Sequence, residues 1–366
     1  MGTNLQSTER EEESSLFLLL KSRDIFDKIL KLPDEILSNE ADFQQKCLGT
    51  EQLIKERWGN AMRPKTPPEY VEAYINASVT KAYMPTGKLL LMGMMAGAFV
   101  AIGAASASAA SHALTNVGVA KALAGIVFPI GLMMIIFIGG ELFTGDNMML
   151  MGAMNKRFTY QRLIRTLFWV YLSNLNGAVL ISFLVVNSGQ FAYSSNGLGA
   201  YTIKVALDKC NGSFFSLFLS GILCNVLVCV AVLMSMAAKD VTGKVFGFLF
   251  PIFAFVIGGY EHCVANMYYI PAGMQAARKE IYVAKAAELY GITAEQIASI
   301  NIGNFWVGNL LPVTLGNMVG GMIFISLPLY ILHKDKIYKD PAHKEYLKVE
   351  RENKELIEKE LHHSVE

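Results

Sequence analysis

The stretch Gly139-Gly140-Glu141-Leu142-Phe143-Thr144-Gly145-Asp146-Asn147-Met148 has a second copy, Gly258-Gly259-Tyr260-Glu261-His262-Cys263-Val264-Ala265-Asn266-Met267. Each copy opens with Gly-Gly, closes with Asn-Met and follows a Phe-Pro-Ile triplet, at 128–130 and 250–252. Both patches are polar, yet both lie deep inside apolar sequence. A continuous lipid-facing helix does not tolerate this, because nothing in hydrocarbon satisfies a freed backbone group. Two broken helices are expected, with each break lining a cavity or buried in protein.

Around these patches the chain reads as six hydrophobic segments, at roughly 87–114, 122–155, 162–188, 213–237, 245–274 and 304–332. Each can span a bilayer, which needs about 20 apolar residues. The segments after the patches also echo each other, as Asn174-Leu175-Asn176-Gly177 and Asn317-Met318-Val319-Gly320. The chain is therefore two three-span repeats, with a polar stretch at 275–303 inserted in the second. Three is odd, so the second repeat enters the membrane inverted. The expected fold is an all-α membrane protein, with six transmembrane helices in two inverted three-helix repeats and breaks in the second and fifth.

Composition agrees with this partition. Of the 366 residues, 53% are apolar and only 17% charged, against roughly 25% charged in a soluble domain. Residues 1–86 and 333–366 are dense in charge, whereas 87–332 contain long runs with none. Residues 1–68 read as a soluble extension with short amphipathic helices around 22–31 and 41–57. Residues 69–335 form the membrane domain, and 336–366 a charged tail. Between 69 and 83, Val71, Ile75 and Val79 form one stripe, expected of a helix at the membrane surface. Lys156, Arg157, Arg162 and Arg165 follow the second segment, and Lys239 and Lys244 follow the fourth. The positive-inside rule puts these loops and both termini in the cytoplasm. No secretory signal is expected, since the acidic stretch Glu9–Glu13 precedes a short apolar run where a basic region should stand.

A net charge of +1 gives no electrostatic case for nucleic acid. Cysteines 47, 210, 224, 229 and 263 are scattered, without the spacing of a metal site or disulfide framework. Neither a metal nor another cofactor is expected.

Ionisable groups at membrane depth mark ion or proton pathways. His262 is the histidine inside the apolar region, beside Glu261, and Glu141 is the mate of Glu261. Either glutamate could instead only bond the unwound backbone. Imidazole can trade a proton near neutral pH. Thr144 stands at a place nearly equivalent to His262. Asn147 and Asn266 are expected to open the second half-helices as N-caps, whose free N–H groups leave a positive field at mid-membrane.

The pair Gly-Glu-Leu-Phe-Thr-Gly and Glu-His-Cys-Val-Ala-Asn-Met, on two interrupted spans, resembles the formate/nitrite transporter family over about 67–335. The resemblance implies an aquaporin-like protomer assembled as a homopentamer, with one pore per subunit. It implies an outer constriction at Phe128, Val228 and Phe255, and an inner one at Leu132, Leu142 and Phe143. His262 and Thr144 would lie between them. Asn225 is similar to the family's pore asparagine, and Lys209 to the lysine that draws anions to the outer vestibule. Read without the family, Lys209 is a solvated loop charge. The chain departs from the family in Asp146, where a neutral residue is expected, in Cys263, where serine is common, and in the N-terminal extension.

The expected function is a channel for small monovalent anions, formate first, in a cell (plasma or inner) membrane. Desolvating a bare anion is too costly for apolar rings, so the anion would cross with a proton as the neutral acid. Nitrite, hydrosulfide, acetate and lactate are alternatives within the family. An aquaporin-type neutral-solute channel would need paired Asn-Pro-Ala turns, which the sequence lacks. An intramembrane enzyme using His262 and Glu261 is the remote alternative, since neighbours on a helix point about 100° apart.

Overall fold

Helices begin where the sequence supplies a start signal. In the computed structural model, which describes residues 63–338, α1 (Pro67–Ala82) opens on Thr66 and two prolines. The Glu69 carboxylate accepts the Thr66 N–H at 2.7 Å, as in a capping box. Val71, Tyr74 and Ile75 of α1 are buried in a cluster with Met148, Met151, Leu233 and Tyr330. The expected helices at 22–31 and 41–57, Cys47 and most of the C-terminal tail lie outside the described residues.

The six spans follow. The first is α2 (Thr86–Ser111). The second is α3 (Val117–Val127), bent at Phe128 and Pro129 into α4 (Ile130–Ile138). After a break come α5 (Phe143–Asp146), a 3-10 turn and α6 (Leu150–Met154). The third span is α7 (Tyr160–Asn187). A helix between the repeats, α8 (Tyr193–Cys210), leads to the fourth span, α9 (Phe214–Ala237). The fifth is α10 (Val241–Gly258), a break, and α11 (Cys263–Ala276). The polar stretch expected at 275–303 forms α12 (Glu280–Tyr290) and α13 (Ala294–Ala298). The sixth span joins two widened π-helical runs, Asn304–Leu310 and Gly320–Ser326, to α14 (Leu311–Val319) and α15 (Leu327–Tyr338). Large apolar side chains such as Leu91, Ile126, Phe168, Phe215, Phe250 and Val307 project from the spans unburied.

The breaks correct the register in which the repeats were aligned. The first half-helices stop where the backbone turns to positive φ, at Gly139 (+105°) and Gly259 (+65°). Glycine is the residue that takes this region at no steric cost. Gly139 therefore matches Gly259 rather than Gly258, and the copies are offset by 120 residues instead of 119. A Gly-Gly pair offers two ways to align, and only the backbone distinguishes them.

The spans of each repeat close on glycines at equivalent places. A Cβ on Gly177 of α7 would fall on the Met94 carbonyl of α2, and one on Gly320 would fall on the Ile222 carbonyl of α9. Small residues at such crossings let membrane helices approach closely. We expect Gly177→Ala to destabilise the protein by about 1–3 kcal/mol, the usual cost of overpacking. Gly87→Ala, at an open position, should be near neutral. Thermal unfolding in detergent reads both, and equal midpoints would mean that the α2–α7 contact is not tight.

Candidate functional site

Two buried asparagines hold the breaks in the same way. Asn174 of α7 accepts the Phe143 N–H (3.0 Å) and donates to the carbonyls of Gly93 (2.7 Å) and Glu141 (2.9 Å). Asn317 of α14 accepts the Cys263 N–H (2.9 Å) and donates to Gly221 (2.8 Å) and Glu261 (3.0 Å). One side-chain amide thus satisfies two backbone groups that unwinding set free, as membrane depth requires, and ties the break to a carbonyl of the neighbouring helix.

The half-helix starts differ from the expectation. Asn147 and Asn266 are not N-caps, because the second half-helices begin four residues earlier, at Phe143 and, on the matching register, three earlier at Cys263. The cap of α11 is His262, whose Nδ1 accepts the Ala265 N–H at 3.1 Å. Asn147 is fully buried inside the 3-10 turn. Asn266 donates to Glu261 Oε2 (2.6 Å) and Asn309 Oδ1 (2.7 Å).

That cap fixes the chemistry of the imidazole. With Nδ1 accepting, a neutral His262 carries its proton on Nε2, which lies 2.9 Å from Thr144 Oγ1. The ring therefore donates to Thr144, and the Thr144 hydroxyl proton is left to point elsewhere. This bond joins the two breaks. Asn225 of α9 supports it from behind, donating to the carbonyls of Thr144 (3.1 Å) and Asn317 (2.6 Å).

His262, Phe128 and Phe255 line a cavity of about 1030 Å³ on one side. Phe128 and Phe255 meet edge to face, with centroids 5.3 Å apart. Val228 is buried on α9. Leu132 and Leu142 line a second cavity, of about 530 Å³, on the other side. Phe143 packs edge to face on Tyr171 of α7, at 4.9 Å.

Each cavity has a lysine–carboxylate cluster. Lys209 is not a loop charge: it sits in the last turn of α8 and donates to both oxygens of Glu261, at 3.0 and 2.9 Å. Lys81, at the end of α1, lies 2.6 Å from Glu141 and 2.6 Å from Asp146. The glutamates thus bind lysines rather than the unwound backbone. Lys81 stands twelve residues before Gly93, and Lys209 twelve before Gly221. Helices α1 and α8 are therefore repeat mates too. Sequence reasoning missed Lys81. Its signal was there, since Tyr74, Ser78 and Lys81 put three polar groups on one helix face. Lys121 was also missed. It lines the larger cavity with Lys204, Lys209 and Lys285, of which the last three pair with Asp208, Glu261 and Glu288.

Residues 68–331 match the family described as Formate/nitrite transporter. The chain belongs to that family. It is 35% identical to "Formate channel FocA" of Haemophilus influenzae, over 72% of this chain and 92% of that protein. It is also 35% identical to "Probable formate transporter" of Methanothermobacter thermautotrophicus, over 72% and 94%. The solved structure described as "Pentameric formate channel with formate bound" superposes with a TM-score of 0.60 at 30% identity, covering 68% of this chain and 97% of that one. As a member of the formate/nitrite transporter family the chain is an integral membrane protein of the channel and transporter class. Its six spans, with the second and fifth broken, carry the inverted repeat that the sequence predicted.

Proposed function

We propose that this chain is a channel for small monovalent anions with formate as its physiological substrate, moved together with a proton. The observation that supports this is the His262–Thr144 hydrogen bond, which joins the two breaks and leaves the Thr144 hydroxyl proton to bind an anion. Relatives named for formate, and the solved neighbour described with formate bound, support the substrate.

Cations of the larger vestibule concentrate the anion. Lys209 shares its charge with Glu261, so Lys121 carries more of that field than the family resemblance assigns to it. The anion then passes Phe128, Val228 and Phe255 and meets the donors at the centre. There His262 Nε2–H and the Thr144 hydroxyl stabilise it while it gains a proton. Protonating His262 itself would require Nδ1, which caps α11. The geometry therefore favours water as the proton source, with His262 as polariser. The neutral acid crosses the inner ring of Leu132, Leu142 and Phe143 without the cost of a bare charge.

The same reading makes the assembly a homopentamer in the cell membrane, both termini cytoplasmic. Residues 1–68 are then a cytoplasmic extension, and the smaller vestibule is the inner one. Nothing in this scheme calls for a cofactor.

Proteoliposomes loaded at a set pH test it, with formate, nitrite, hydrosulfide, acetate and lactate compared. Formate influx is expected to rise about tenfold per unit fall in external pH, as the neutral acid does above its pKa. Nitrite or hydrosulfide flux without formate would overturn the substrate. Folded protein passing none of the five would end the channel reading.

A further inference from the structure

The two charged clusters of the pore are copies in every position but one. Lys81 matches Lys209, Glu141 matches Glu261, and Asp146 stands where the second repeat has Asn266. The outer cluster sets one ammonium against one carboxylate, with Asn266 as a neutral donor to Glu261. The inner cluster sets one ammonium against two carboxylates, each 2.6 Å from Lys81 Nζ. Asp146 is fully buried, yet it belongs to the wall of the inner vestibule. Its Oδ2 has no hydrogen-bond partner among the described residues.

Two carboxylates crowding one counter-charge in a low-dielectric site cannot both stay ionised cheaply. The other groups facing Asp146 do not supply the missing positive charge. Tyr74 of α1 donates its hydroxyl to the Gly145 carbonyl (2.7 Å), and Cys229 of α9 directs its thiol at the Thr144 carbonyl (3.7 Å). His262, across α5, is held neutral-side by its cap and by Thr144. Lys65, Lys239 and Lys244 line the same vestibule, but the ion pairs of the described residues tie none of them to Asp146.

We propose that Lys81, Glu141 and Asp146 form a proton-binding site at the inner mouth, with Asp146 the residue that makes it one. The site takes one proton from water of the inner vestibule and returns it there as inner pH rises. Glu141 and Asp146 hold that proton as a coupled pair. With it bound the cluster is neutral, like the outer one. Without it the cluster is net negative and repels the anion into which the acid dissociates in the inner vestibule. Inner pH thereby sets the rate at which the pore delivers anions inward.

The inference rests on the pore reading above, but its test varies a different quantity. Initial influx of isotopically labelled formate is measured at one fixed external pH, while the internal pH of vesicles with the N-terminal face inward is stepped. The proton that travels with formate then enters from a constant side. Influx through the parent is expected to fall roughly tenfold per pH unit above the midpoint of the site. Asp146→Asn should flatten that dependence, and Asp146→Glu should restore it. The asparagine fits this frame, since Asn266 occupies it in the other repeat. A parent with no inner-pH dependence, or an Asp146→Asn variant that keeps the parent's, overturns the proposal. A parent with no formate influx at any inner pH overturns the pore reading instead. Infrared titration of the purified protein then decides the proton site alone. A protonated-carboxyl band that titrates in the parent and is missing from Asp146→Asn supports it, and a parent without such a band ends it.

Discussion

Replacing His262 by phenylalanine is expected to cut formate flux by roughly 10–100-fold, the equivalent of one hydrogen bond to a charged group, about 1.5–3 kcal/mol. The ring is retained beside Phe255, whose centroid lies 6.0 Å from that of His262, so the pore keeps its shape. What disappears is the Nε2–H donor and the Nδ1 cap. Losing a cap also costs about 1 kcal/mol of stability, so flux must be scaled to folded protein. His262→Asn separates the effects, because asparagine both caps and donates. It should recover part of the flux, while Thr144→Val, which removes the acceptor and its hydroxyl proton, should lose part of it. A His262→Phe channel within twofold of the parent between about pH 5 and pH 8 would remove His262 from the mechanism.

The largest structural effect is expected from Asn317→Ala. It strands the Cys263 N–H and the Glu261 carbonyl, two backbone groups at a depth where water does not replace the lost partner, and removes the tie to Gly221 of α9. A stranded buried group costs about 1–3 kcal/mol, so the loss is about 2–6 kcal/mol. That is a large part of a typical total stability of roughly 5–15 kcal/mol. Asn187→Ala is the matched control, since its amide bonds a single carbonyl at an exposed site. Thermal unfolding in detergent should separate the two clearly. Equal midpoints would show that the fifth span holds its break without Asn317.

The inverted repeat was legible because it is written twice. Two polar patches inside apolar runs have one physical solution in a bilayer, and their matching flanks identify the repeat. The N-caps were misread for a related reason. Asparagine is a frequent cap, but Asn147 and Asn266 lie inside the new half-helices. The actual cap, His262, is a residue whose side chain was assigned to transport alone. It does both, and capping is what selects its tautomer. Lys81 was passed over because its partners, Glu141 and Asp146, lie 60 and 65 residues downstream, and no local pattern connects them.

The sequence by itself determined the membrane character, the span count, the inversion and the two places where helices break. These follow from the hydrophobic run lengths and from backbone groups that hydrocarbon cannot satisfy. Only the tertiary structure decided the one-residue register between repeats, the asparagines that bracket the breaks, the imidazole tautomer and the ion pairs of the two lysines. Each of these depends on which groups meet across the interior, and a linear pattern records the residues without recording their partners.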